Sequence, residues 1–136
     1  MRKLGWMIAM PLAACAAHPG IRPLRPLEIA TAPYRGLATE SRPGSLMYEG
    51  GCLLFRDGRT GALLMPVWPS GSMFNGTALV FHEPGKTDQR IMVAEEFLMS
   101  GQPEPWAVLG GAVYAPIERQ CGAYEPFLVS SVRPAN

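Results

Sequence analysis

Little in this sequence advertises chemistry. Its 136 residues hold two histidines, His18 and His82, and three cysteines, Cys15, Cys52 and Cys121. No Cys-x-x-Cys or His-x-x-x-His spacing sets these in metal-ligand register, so a closed zinc site lacks its ligands. There is no Gly-x-Ser-x-Gly elbow, no phosphate-cradling glycine loop and no histidine beside a plausible nucleophile. No apolar run reaches the roughly 20 residues that a helix needs to span a bilayer. Lysine is scarce, with Lys3 and Lys86 against ten arginines, and the net charge of +1 gives no electrostatic footing for nucleic acid. The length excludes a large multi-domain enzyme and allows one domain.

What is present is concentrated at the start. Met1-Arg2-Lys3 gives a positive beginning, residues 4–12 are apolar apart from Gly5 and Pro11, and Ala13-Ala14 supply small residues. That order is the order of an export leader, which is processed and does not join the domain. The string Leu12-Ala13-Ala14-Cys15 resembles the lipobox of bacterial lipoproteins: a leucine, two small residues and an acceptor cysteine. The resemblance implies a signal peptide at 1–14, a diacylglyceryl group on the Cys15 thiol, cleavage after Ala14 and acylation of the new amine, with palmitate as a typical chain. Each buried methylene contributes about 0.8 kcal/mol, so two or more chains make desorption negligible. The competing reading is an ordinary peptidase that cuts after Ala16 and uses Ala14-Cys15-Ala16 as its small-residue site. Ala16 is not the aspartate that retains similar enteric lipoproteins in the inner membrane, so the resemblance implies the outer membrane, facing the periplasm. Without Arg2 and Lys3, ten basic residues remain against eleven acidic ones, a net charge of −1.

Residues 15–45 read as the lipidated cysteine followed by a Pro-rich tether. They carry Pro19, Pro23, Pro26, Pro33 and Pro43, and their apolar residues follow neither a helical nor a strand period. A Pro-rich chain extends at about 3.1 Å per residue, enough to hold the domain well clear of the lipid. Alternatively, Leu24, Leu27, Ile29 and Tyr34 pack along the domain as an irregular arm. His18 reads as a solvated residue of this segment.

Residues 46–134 change character, with β-branched and aromatic residues in short apolar runs between turn signals, the pattern of a small β domain. Strands are predicted at 46–56, bent or bulged at Gly50-Gly51, and at 62–68, 77–82, 90–101 and 127–133. Asp57-Gly58-Arg59-Thr60-Gly61 and Asn75-Gly76 mark turns, and 94–97 is ambiguous with helix. Pro66 and Pro69 cannot donate to a ladder, so the second strand should end or lie at an edge there. Pro116 and Gly122 bracket a short helix at 116–121. The expected fold is mainly β: a small five-stranded barrel of the oligonucleotide/oligosaccharide-binding kind, with one short helix. A β-sandwich is the alternative. Gly51-Cys52-Leu53 and Pro66-Val67-Trp68-Pro69 are similar to strands of an uncharacterised group of small envelope lipoproteins, which implies one envelope domain and no particular activity.

With Cys15 lipidated, Cys52 and Cys121 form an even pair in an oxidising compartment, and a disulfide between them is expected; the alternative is two buried free thiols. Met47, Met65, Met73, Met92 and Met99 would suit Cu(I) if clustered, but Met is also a routine filler of irregular cores. Glu95, Glu96, Glu104, Glu118 and Glu125 are carboxylates that acid–base chemistry could use, although neighbours on a strand such as Glu95 and Glu96 point to opposite faces. Ser70 and Ser72, flanking Gly71, read as turn residues. Trp106, Tyr114 and Tyr124 are candidates to line a groove for glycan or peptide, with Trp68 placed in the core. No catalytic residue, metal ligand or cofactor is assigned. The leading expectation is a non-enzymatic envelope lipoprotein, held on the membrane by covalent lipid, that binds or scaffolds an envelope protein or glycan. A small envelope hydrolase or cell-wall enzyme and a copper carrier are the alternatives.

Overall fold

A computed structural model of the chain describes residues 20–135, so the leader and Cys15 lie outside the described residues. The elements follow in the order β1 (Thr31–Ala32), β2 (Glu40–Glu49), β3 (Cys52–Asp57), β4 (Leu63–Pro69), β5 (Met73–Phe74), β6 (Ala78–Phe81), β7 (Gln89–Met92), β8 (Phe97–Pro103), α1 (Trp106–Leu109), α2 (Ala115–Cys121) and β9 (Glu125–Pro134). A single 3-10 turn, Gly111–Tyr114, joins the two helices.

Local chemistry fixes the turns. Gly50 and Gly51 form a two-residue hairpin, with Glu49 paired to Cys52 across it and φ of 60° and 83° at the two glycines. Positive φ at both positions is what the twist of a tight hairpin demands, and glycine adopts it without steric cost. The side-chain oxygen of Asn75 accepts from the backbone N–H groups of Thr77 and Ala78, closing the β5–β6 turn.

Five strands bond in a closed ring. β2 lies between β3 and β8, β3 pairs β4, β8 pairs β9, and β4 closes the circle against β9. Every pairing is antiparallel except β4–β9, which is parallel from Leu64 opposite Glu125 to Val67 opposite Leu128. The ring is not a clean cylinder: only two residue pairs join β3 to β4, and the register of β8 against β9 shifts at Ser100/Gly101. β1 adds to β4 in parallel, and β5–β6–β7 form a separate antiparallel meander.

Side chains of alternate residues enter two different cores. Leu53, Phe55, Leu64 and Trp68 join Leu46, Phe97, Met99, Phe127, Val129 and Val132 inside the ring. Phe74, Leu79, Phe81 and Ile91 from the meander belong to the same cluster and close it on one side. The intervening residues Cys52, Leu54, Met65, Val67 and Leu128 point outward into a second cluster with Tyr114, Ile117, Ala30 and Ala32. Both faces of β3 and β4 are therefore covered, which explains why their sequences are continuous apolar runs and do not alternate with polar residues. Burying each large side chain contributes about 1.5–3 kcal/mol, and the two clusters account for nearly all such burial among the described residues.

The mainly β fold and its five-strand ring agree with the sequence, but the strands differ in detail. The stretch 46–56, expected as one bent strand, is the β2–β3 hairpin, because Gly50-Gly51 turns the chain fully around. The stretch 90–101 is two strands, broken where Ala94 takes φ 73° and its N–H donates to the carbonyl of Leu46. The strand at 77–82 forms, but as the centre of the meander and not in the ring. Pro66 does not end β4: the N–H groups of Trp68 and Ser70 donate to the carbonyls of Ala30 and Ala32 on the arm, so Pro66 would donate on that same edge, in the gap where β3 has left and the arm has not begun to pair. The expected tether also changes. Ala30 and Ala32 are buried, Leu24 and Ile29 pack on the two cores, and β2 already begins at Glu40. The described part of that segment, from residue 20, is thus an arm laid on the domain, because its apolar residues find an uncovered outer sheet face to bury. Leu27 and Tyr34, also expected on that arm, stay more than a third exposed.

At the β8–β9 irregularity, a Cβ on Gly101 would stand 2.0 Å from the carbonyl oxygen of Leu128. Gly101→Ala is therefore expected to force the two strands apart and cost about 1–3 kcal/mol. The measurement is a urea melt, in which the midpoint falls at unchanged slope; an unmoved midpoint contradicts the close packing.

Candidate functional site

The chain between β8 and β9 builds a helical flank on the outside of the ring. Pro105 caps α1 in extended conformation, Gly110 ends it, Pro116 sits in the first turn of α2, and the Gly122 N–H closes α2 onto Glu118 at 2.9 Å. Three ties hold this flank. The Cys52 and Cys121 sulfurs lie at bonding distance, 1.99 Å, with their Cα atoms 5.7 Å apart, joining the end of α2 to the start of β3. Beside them Gln120 donates to the carbonyl of Gly50 at 3.1 Å. On the far side the Tyr114 hydroxyl donates to the carbonyl of Thr31 at 2.8 Å, fastening the flank to the arm.

The three aromatic residues expected to line a groove all come to this flank. Trp106 and Tyr114 face each other with ring centroids 4.8 Å apart, and Tyr124 packs against the same cluster. They do not form an open platform. Tyr114 is only 4% exposed, and burial raises its hydroxyl pKa, so it serves as core. Trp106 is half-buried with its Nε1 covered and without a partner among the described residues. Trp68 is fully buried in the inner core, as expected, edge-on to Phe81 of the meander, and its Nε1 is likewise unpartnered among the described residues.

A second constellation, which sequence reasoning missed, lies at the β3–β4 loop. Asp57 is 2% exposed, and one of its oxygens accepts from the N–H groups of Arg59, at 2.7 Å, and Thr60, at 3.2 Å. Its other oxygen accepts from Arg42 at 3.0 Å, and Arg42 also donates to Glu40 at 2.6 Å. These residues line an open depression with Ser41. Asp57-Gly58 was legible as a turn, but Arg42 and Glu40 stand in the segment expected to be tether. Burial alone would raise the Asp57 pKa; the Arg59 N–H, the Arg42 guanidinium and the Thr60 N–H outweigh it and hold the group below the ordinary carboxylate value. An ionised carboxylate with both oxygens saturated stabilises a loop and has no proton to give near neutral pH.

A third pair joins His82 Nδ1 to Asp88 at 2.9 Å on the exposed edge of the meander. The hydroxyl of Ser72 accepts from the backbone N–H of His82 at 3.0 Å, so it is bound to the main chain and not to the imidazole. The remaining candidates stay apart. Met65 and Met99 lie in different cores, and Met73 and Met92 share the outer face of the meander two rows and two strands from each other. Glu95 accepts from the Met92 N–H, Glu104 from Gln102, Glu118 is on α2 and Glu125 opens β9. Among the described residues, no three His, Cys, Asp or Glu side chains gather as metal ligands.

Two outcomes follow. Replacing Cys52 and Cys121 together by Ala opens a loop with a sequence separation of 69 residues and is expected to cost about 4 kcal/mol, lowering the melting temperature by on the order of 15 °C. An unchanged melting temperature would mean that the flank is held without the bond. For Asp57, the folded pKa lies below the unfolded one, so its stabilisation is complete above about pH 4 and is lost as the pH falls from there through the folded value. Asp57→Asn should therefore be less stable by about 1–3 kcal/mol at pH 7 and should lose less than the parent on acidification below about pH 4. Thermal melts across that range check both.

No family model, no curated protein and no solved structure matches this chain.

Proposed function

We propose that this chain is a lipid-anchored protein of the bacterial cell envelope, attached through Cys15 and facing the periplasm, whose β domain binds or scaffolds another envelope component without catalysing a reaction. The observation that carries this reading is Leu12-Ala13-Ala14-Cys15 directly behind a positively charged start and a short apolar run. The cysteine pairing supports it. With Cys52 and Cys121 joined to each other, Cys15 is the one cysteine left for another chemistry, and a paired cysteine suits a compartment that oxidises thiols. Ala16 favours the outer membrane over the inner.

The binding role is supported by how the reactive groups are used. The Asp57 carboxylate and the Ser72 hydroxyl are committed to main-chain and arginine contacts that hold loops. A protein or glycan partner in the envelope fits a small, near-neutral domain presented at a membrane surface.

Growth with radiolabelled palmitate tests the anchor. The parent protein should take up label and sediment with membranes, whereas Cys15→Ser should take up none and be released to the soluble envelope fraction. Identical processing, labelling and location of the two would remove the reading.

A further inference from the structure

Residues 105–117 run for thirteen positions without one charged side chain, between Glu104 and Glu118. In a buried strand this would be unremarkable. Here Tyr114 and Ile117 anchor the segment in the second core, with Pro116 buried between them in sequence, while its other side is open: Val113 is 72% and Val108 55% exposed, with Ala107, Gly110 and Ala112 exposed as well. Exposed apolar groups gathered on a short, uncharged helical tip leave unused the stabilisation that burial would bring, which makes this tip a candidate contact surface.

The arm indicates what the partner is. Ile21, itself 36% exposed, meets Ala112, Val113, Ala115 and Pro116 around one open cleft, and Gly20 lies on the same rim. Arg22, which lines the same cleft, is ion-paired with Glu28. The first described residue of the domain and the uncharged tip are therefore neighbours. Cys15 is five residues before Gly20, and five residues fully extended span at most about 18 Å. That reach is shorter than the width of a domain whose radius of gyration is about 13 Å. The face that carries residue 20 must therefore turn toward whatever holds Cys15.

We infer that the tip formed by α1 and the 3-10 turn, with Val108 and Val113 foremost, docks into the interfacial layer of the phospholipid bilayer that holds the anchor. This rests on the proposed lipidation of Cys15. Aliphatic side chains on a short helical tip enter the boundary between headgroups and acyl chains, where their burial adds to that of the covalent lipid. Trp106, half-buried at the base of the tip, belongs to the residue type that favours this layer. The domain is then fixed in orientation as well as in place, and the meander, the Asp57 loop and the His82–Asp88 edge are the surfaces left for partners.

The test uses the full lipidated protein reconstituted in vesicles of phosphatidylcholine with brominated acyl chains. Bromine quenches nearby tryptophan, and Trp68, fully buried in the inner core, supplies an unquenched reference. The expected result is quenching that disappears in Trp106→Phe and is largely lost in Val108→Asp/Val113→Asp. Both aspartates replace exposed residues, so the melting temperature and palmitate content of that variant should match the parent. Label on Cys15 with no quenching of Trp106 overturns the docking and leaves the anchor standing. Trp106 emission that is indifferent to bromine but shifts with protein concentration assigns the tip to a second copy of the chain and also overturns it. Absence of palmitate from the parent removes both readings.

Discussion

The outer face of β3 and β4 is as apolar as the inner one, and the rest of the molecule is arranged to cover it. Leu54, Met65 and Val67 would face water if the five-strand ring stood alone. Two pieces of chain far apart in sequence are laid over them and over the outward side of Leu128 on β9: the arm through Ala30 and Ala32, and the helical flank through Tyr114 and Ile117. The Cys52–Cys121 bond stands at the edge of that covered face, one sulfur on the sheet and the other on the helix that shields it. Its loop spans β3 to α2, so it restrains much of the domain's unfolded chain while holding the cover in place.

This second core also decides which parts of the fold were legible. The mainly β pattern, the Asp57 and Asn75 turns, the helix bracketed by Pro116 and Gly122, and the Cys52–Cys121 pair can all be read from local chemistry. Each is written in residues adjacent to the feature or, for the cysteines, in the two that remain once Cys15 is assigned to the lipobox. The arm could not be read that way. Its prolines and irregular spacing are the same whether the segment is solvated or packed, and only the existence of an uncovered sheet face makes packing favourable. Gly50-Gly51 carried a hairpin signal that a bend equally fits, and the choice depends on whether β3 pairs back on β2. Ala94 carried none, since a left-handed alanine is imposed by its tertiary contacts, here the bond from its own N–H to the carbonyl of Leu46, and not by its own preference.

The candidate site shows the same division. Choosing Trp106, Tyr114 and Tyr124 by residue type gathered three side chains that do meet, but type alone does not say whether aromatic rings face a ligand or one another. Tyr114 answers this by bonding Thr31 through its hydroxyl while its ring supports Trp106. Arg42 and Asp57 escaped notice because the partners are fifteen residues apart and converge only through the β2–β3 hairpin.

Recasting the tether as an arm changes what the proposed anchor does. A leash of thirty residues would let the domain sample all orientations above the membrane, and its surfaces would be equivalent in access. Attachment at Cys15, as proposed, would leave only five residues before the packed arm, so that one face would be proximal and the opposite face available, and folding, not linker length, would select the surface shown to partners. The same apolar demand then acts twice. Inside the domain it draws the arm onto β4, and outside it leaves the uncharged tip beside the end of that arm, on the side where the proposed anchor would lie.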